Sequence, residues 1–205
     1  MSIDILSVYI VTCLFAALTP GPGMIAVISY GANHGLRKTL PLMYGLLIGL
    51  TIVSMVAASS IGVIIQTSTT LFSLLKYAGS MYIAFLGIKI LWSPFKEVDV
   101  RSEKLPIKSN IQLISQGIVL ASANPKSLLF FSSLIPLFID PKISTFHQMS
   151  VLTFLLLICT FLVHLFYVKI MSMASKIFLK DKLLLLNKLT GITFVLLAVM
   201  VVFKK

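Results

Sequence analysis

The chain has 205 residues, 58% of them hydrophobic and only 11% charged, whereas a water-soluble domain carries roughly 45–50% apolar and 25% charged residues; a single membrane domain is expected. The excess of 17 basic over 6 acidic residues is what Lys- and Arg-rich cytoplasmic loops produce, which argues against a nucleic-acid partner. Only Cys13 and Cys159 occur, far apart and inside apolar runs, which argues against a disulfide framework or a thiolate metal site.

About 20 apolar residues cross a bilayer, and six stretches qualify: 5–33, 40–65, 71–92, 110–139, 149–172 and 183–203. The first has no Lys or Arg before Arg37, so it is expected to stay as a span and not to be cleaved as an export signal. It contains Thr19-Pro20-Gly21-Pro22-Gly23. Proline lacks a backbone N–H and clashes with the preceding turn. In hydrocarbon such irregular backbone survives only where protein buries it or where it lines a wet cavity. Span two carries Gly45 and Gly49, and span three Ser80 and Ala84. Small residues at this spacing predict close helix packing, within the chain or across a dimer seam. Tyr77, Tyr82 and Trp92 are expected as packing or interfacial anchors. Residues 93–109 (SPFKEVDVRSEKLPIKS) are the one stretch that resembles a soluble segment, with three of the six acids. Span four is broken midway at Asn124-Pro125-Lys126. In span five Thr160, His164 and Tyr167 recur at i, i+4 and i+7, a polar face that should point into the protein.

Loop charge gives an orientation. Connections after spans one, three and five hold Arg37, Lys38, Lys96, Arg101, Lys104, Lys108, Lys176, Lys180 and Lys182, while the other side has Lys142, Lys204 and Lys205. Basic loops face the cytoplasm, so both termini are expected outside.

Spans one and four are both broken by proline, and each opens a set of three. The expected fold is therefore all-α, a polytopic membrane protein with six transmembrane helices as a 3+3 inverted repeat, helices 1 and 4 interrupted. Its halves run over about 1–92 and 110–205, joined by a cytoplasmic linker at 93–109. Matching interruptions in two halves point to a transport site near the midplane. Half-helices starting near Met24 and Ser127 would offer N–H groups to a carboxylate, and the carbonyls of Leu18, Thr19 and Ala123 would face an ammonium. The expected substrate site is Thr19, Pro20, Gly21, Pro22, Gly23, Asn124, Pro125, Lys126 and Ser127, a pocket suited to a zwitterion.

The blocks TPGPG, GANHGLRKTLPLMYGLLIG, KYAGSMYIAFLGIKIL and ANPKSLLFFSSLIPLFI, in order from about Leu14 to Phe138, resemble the LysE/RhtB family of bacterial amino-acid exporters. The resemblance implies efflux of amino acids across the cytoplasmic membrane, driven by the proton gradient, by a six-helix protein that forms a homodimer. Members of that family commonly have Asn after the PGP, where this chain has Gly23, which puts a side-chain amide contact to substrate in doubt at that position.

Individual residues keep two roles open. Lys126, which costs at least ~2.5 kcal/mol at the membrane centre, serves either as counter-ion and proton-linked switch or as a tie for orphan carbonyls. Asn124 and Thr19 either cap a helix or bind substrate. His164, with an ordinary pKa of ~6.5, either carries the transported proton or makes one bond between helices. All six acids (Asp4, Glu97, Asp99, Glu103, Asp140 and Asp181) lie at span ends or in loops. That argues against a divalent-metal exporter, which needs hard oxygen ligands or thiolates; no metal or cofactor is expected. A membrane thiol oxidoreductase would need a cysteine in each interrupted helix, but the position matching Cys13 is Ile118. A passive channel is not separated from a carrier. Without a buried acid for a second positive charge, neutral amino acids such as homoserine, threonine or leucine are favoured over lysine or arginine.

Overall fold

A computed structural model of the chain describes residues 3–19, 21–92, 105–124, 127–128, 130–173, 185, 188–196 and 198–199. Every regular element among them is helical. Helix α1 is Ile3–Leu18, α2 is Pro22–Thr67, α3 is Thr69–Trp92 and α4 is Asn110–Ser122. A π-helical turn, Phe130–Leu134, and a 3-10 turn, Ile135–Phe138, follow. Helix α5 is Thr145–Met173, and residues 188–196 form α6.

Helix α2 cannot be one rod. Its 46 residues at about 1.5 Å each would reach more than twice the thickness of a bilayer core. The chain doubles back at Gly35, the one residue inside it with non-helical torsions (φ 76°, ψ 173°), a conformation open to glycine and costly for residues with a Cβ. Residues far apart along α2 consequently meet. Val27 and Tyr30 of the first limb share a core cluster with Leu42, Met43 and Leu46 of the second. The expected loop HGLRKT thus shrinks to a single glycine. The basic stretch stays helical on either side because its residues have good helix propensity and need no extended connection. Likewise QTSTT is reduced to Ser68, whose hydroxyl accepts from Leu71 N at 3.1 Å and caps α3.

The second limb of α2 packs most extensively on α4, and glycines make that approach possible. A Cβ on Gly49 would lie 2.7 Å from the Ile118 carbonyl oxygen, and one on Gly117 2.5 Å from that of Leu42. The seam containing Gly45 and Gly49 is therefore intramolecular. A second crossing, unforeseen, joins α3 to α6, where a Cβ on Gly87 would lie 2.7 Å from the Gly191 oxygen. Ser54 and Thr153 hydrogen-bond between α2 and α5. The outer surface carries exposed Met55, Val56, Phe154, Leu162 and Phe166, an apolar exterior far broader than soluble proteins tolerate. Trp92 ends α3 at 84% exposure, where an interfacial anchor belongs.

Two tethers hold the connections. Ser109 and Gln112 form a reciprocal capping box at the start of α4. Just before it, His34 Nε2 meets the Leu105 carbonyl oxygen at 3.0 Å and Lys108 N donates to Tyr30 Oη at 3.2 Å. At the other end of the bundle Gln148 is fully buried. Its Oε1 accepts from Asp140 N at 3.0 Å, and its Nε2 donates to the oxygens of Asp140 and Ile143 at 2.9 and 3.0 Å. One side chain thus fixes the turn, and α5 starts at Thr145, earlier than the expected 149. Cys13 and Cys159 are both free and buried. They share one core cluster with Tyr9, so the two thiols are neighbours in the fold despite 145 intervening residues.

Candidate functional site

The last four carbonyls of a helix have no partner within it, and α1 ends at Leu18 inside the bundle. Side chains from other helices supply what is missing. Tyr167 Oη, on α5, donates to the Leu18 oxygen at 3.3 Å. The Phe15 oxygen accepts from Thr19 N at 3.2 Å, Thr19 Oγ1 at 3.0 Å and Thr190 Oγ1 of α6 at 3.3 Å. Thr19 therefore closes α1. The Leu18 carbonyl, expected to face an ammonium, is already engaged by Tyr167. Helix α2 begins with Pro22, whose fixed φ suits a first helical position, and its first turn closes with Ile25 N bonding the Gly21 oxygen at 2.8 Å.

The second helix end is built similarly. Ala123 N bonds the Val119 oxygen at 2.9 Å and terminates α4. The Asn124 oxygen then accepts from Ser127 N at 3.0 Å and Leu128 N at 3.1 Å, opening a new turn. The chain continues as the π turn, a wide geometry that often marks functional sites. This stretch had been expected as the regular second half of a span.

Both ends open on one cavity of about 100 Å³. Thr19, Gly21 and Gly23 line it from the first end, Asn124 and Ser127 from the second, and Thr160 and His164 from α5. The rest of the lining is apolar and includes Leu46, Leu50, Phe131 and Leu156. Of the sequence candidates, these six (Thr19, Gly21, Gly23, Asn124, Ser127 and His164) come together. Pro22 starts α2 without lining the cavity. Pro20, Pro125 and Lys126 lie outside the described residues. The stripe on α5 is buried as its spacing predicts, with Thr160 at 7%, His164 at 5% and Tyr167 at 2% exposure. Tyr167 serves the backbone of α1, while the other two reach the cavity.

Sequence reasoning missed the apolar wall. Leu46 and Leu50 are two leucines among many in an apolar helix. Their one signal is that each follows a glycine of the Gly45/Gly49 seam, which fixes the face they occupy.

The cavity brings hydroxyl, amide and imidazole groups together with hydrocarbon, and no carboxylate is found in its described lining. Such a site can hold a small molecule with a compact polar head and an apolar tail. No solved structure matches the chain. It is 31% identical to the leucine efflux protein of Enterobacter sp. (strain 638) over 132 residues, 64% of this chain and 62% of that protein. It is also 31% identical to the homoserine/homoserine lactone efflux protein of Salmonella typhimurium over 134 residues, 65% of this chain and 64% of the relative. An uncharacterized membrane protein of Vibrio cholerae is 31% identical over 152 residues, 74% of this chain and 73% of its own. The chain thus spans less than two thirds of the length of either of these efflux proteins. The family model for the LysE type translocator matches residues 14–205. With helices that enclose a cavity bearing both polar and apolar groups and turn an apolar surface outward, the chain belongs to the LysE type translocator family.

Proposed function

We propose that the chain exports small neutral amino acids from the cytoplasm to the outside, and that the cavity between residues 19–23 and 124–127 is where they bind. One observation carries this reading: two proline-flanked helix ends, a hundred residues apart in sequence, border the same amphipathic cavity. The names of the leucine and homoserine efflux relatives support the substrate class.

In this reading α1 and the first limb of α2 are one interrupted span, and α4 with the segment to Phe138 is its counterpart. The protein is then a single transmembrane domain, a 3+3 inverted repeat with halves at about 1–92 and 110–205. Residues 93–109 form the cytoplasmic linker, both termini face outward, and two copies make a homodimer. The reversal at Gly35 supports it, because it returns the chain across the bilayer directly after the first span. The substrate carboxylate sits at the first turn of α2, where helix N–H groups favour an anion, with Asn124, Ser127 and Lys126 beside it. Hydroxyl oxygens of Thr19 and Thr160 take the ammonium. The side chain rests on Leu46, Leu50 and Phe131. His164, on the same cavity, and Lys126 carry the coupling proton. A second positive charge on the substrate would meet no carboxylate there, which disfavours lysine and arginine.

Proteoliposomes loaded with labelled amino acids test this. Leucine, threonine and homoserine should leave faster than lysine, faster still under an imposed pH difference, and should show accelerated exchange against trapped substrate. Lys126→Ala should abolish efflux while inserting normally. Unchanged initial efflux by that variant at matched protein density removes Lys126 from the mechanism, and failure to release any neutral amino acid refutes the function itself.

A further inference from the structure

Gly23 and Leu46 meet across the reversal at Gly35, and they meet on the cavity wall. A Cβ built on Gly23 would lie 2.8 Å from Leu46 Cδ2, 3.6 Å from Cδ1 and 3.8 Å from Cγ. The branched end of Leu46 therefore occupies the volume that any side chain at position 23 would need. Leu46 is 3% exposed. Its backbone nitrogen is 2.6 Å from where a Cβ on Gly117 would stand, so the glycine seam fixes its main chain. Leu50 lies one turn further along the same face and lines the same cavity.

We infer that Gly23 and Leu46 together set the length of substrate side chain the transporter accepts. The inference rests on the reading of this cavity as the amino-acid site. Glycine at 23 lets the Leu46 isobutyl group lie flat against the backbone of α2, and this leaves the apolar pocket deep enough for a short branched side chain. A methyl on residue 23 tilts Leu46 into that pocket and shortens it. Trimming Leu46 to alanine deepens it. Each change alters fit by one to three carbons, and one methylene in an apolar pocket separates substrates by about 10- to 200-fold.

Initial efflux of labelled alanine, leucine and phenylalanine from proteoliposomes reads this directly. Gly23→Ala should lower the leucine-to-alanine ratio by about tenfold or more. Leu46→Ala should raise the phenylalanine-to-leucine ratio by a similar factor. The double variant should return toward the wild-type leucine-to-alanine ratio, since the added methyl then has space; such non-additivity is the signature of contact. If wild-type protein exports amino acids and the single variants scale all three substrates equally, the inference is overturned while the function stands. If wild-type protein exports none, both fall together. Should Gly23→Ala fail to insert, Leu46→Ala and Leu46→Met decide alone, and an unmoved substrate profile in both refutes the role.

Discussion

Gly117→Ala is expected to destabilise the bundle, and the size of the effect follows from the crossing of α4 with the second limb of α2. An added Cβ would stand 2.5 Å from the Leu42 oxygen, 2.6 Å from Leu46 N and 2.8 Å from the Gly45 carbonyl carbon. All three are backbone atoms, so no side chain can swing aside. Real Cβ atoms essentially never approach closer than 3.0 Å, and the two helices must part by at least half an ångström. Overpacking of this kind costs about 1–3 kcal/mol, partly offset by the roughly 0.8–1.0 kcal/mol that alanine gains over glycine in a helix. Gly62 provides the control, because a Cβ there meets nothing within 4 Å. Gly62→Ala should keep the propensity gain and melt slightly higher than wild type. The difference between the variants cancels the propensity term and leaves about 1–3 kcal/mol, or several degrees of midpoint for a chain of this size. The buried free thiols of Cys13 and Cys159 supply the readout: a fluorogenic maleimide reacts as they become exposed on heating in detergent. Equal midpoints for Gly117→Ala and Gly62→Ala would refute the close crossing.

Tyr167→Phe removes only the hydroxyl that serves the Leu18 oxygen; hydrogen bonds between membrane helices average about 0.6 and reach about 1.7 kcal/mol. A fall in the thiol-dye midpoint within that range is expected, with slower efflux because α1 ends at the cavity; no change in either would mean that the carbonyl finds another donor. Gln148→Leu strips the turn at 140–144 of its buried anchor, at about 1–3 kcal/mol for the groups left unsatisfied. Hydrogen exchange at the Asp140 amide should accelerate, and unchanged protection there would show that the turn holds without Gln148.

Much of this molecule was legible in its residues. Apolar runs of membrane length located the helices, because hydrocarbon requires every backbone group to be bonded within a regular element. Helix α1 ends at Leu18 and α2 opens on Pro22 within the proline-rich stretch, since proline cannot extend the hydrogen-bond ladder but suits a first helical position. The periodicity of Thr160, His164 and Tyr167 gave their common buried face, because helix geometry alone fixes it. None of this could indicate which groups would meet. The closing of α1 by Tyr167 and Thr190 and the pairing of Gly23 with Leu46 join residues distant in the chain. Those contacts depend on how far the backbones approach and where the chain reverses. A run of leucines looks the same whether it faces lipid, a neighbouring helix or a substrate, since its sequence records only preference for an apolar medium; the reversal at Gly35 and the glycine seam against α4 assign Leu46 and Leu50 to the cavity.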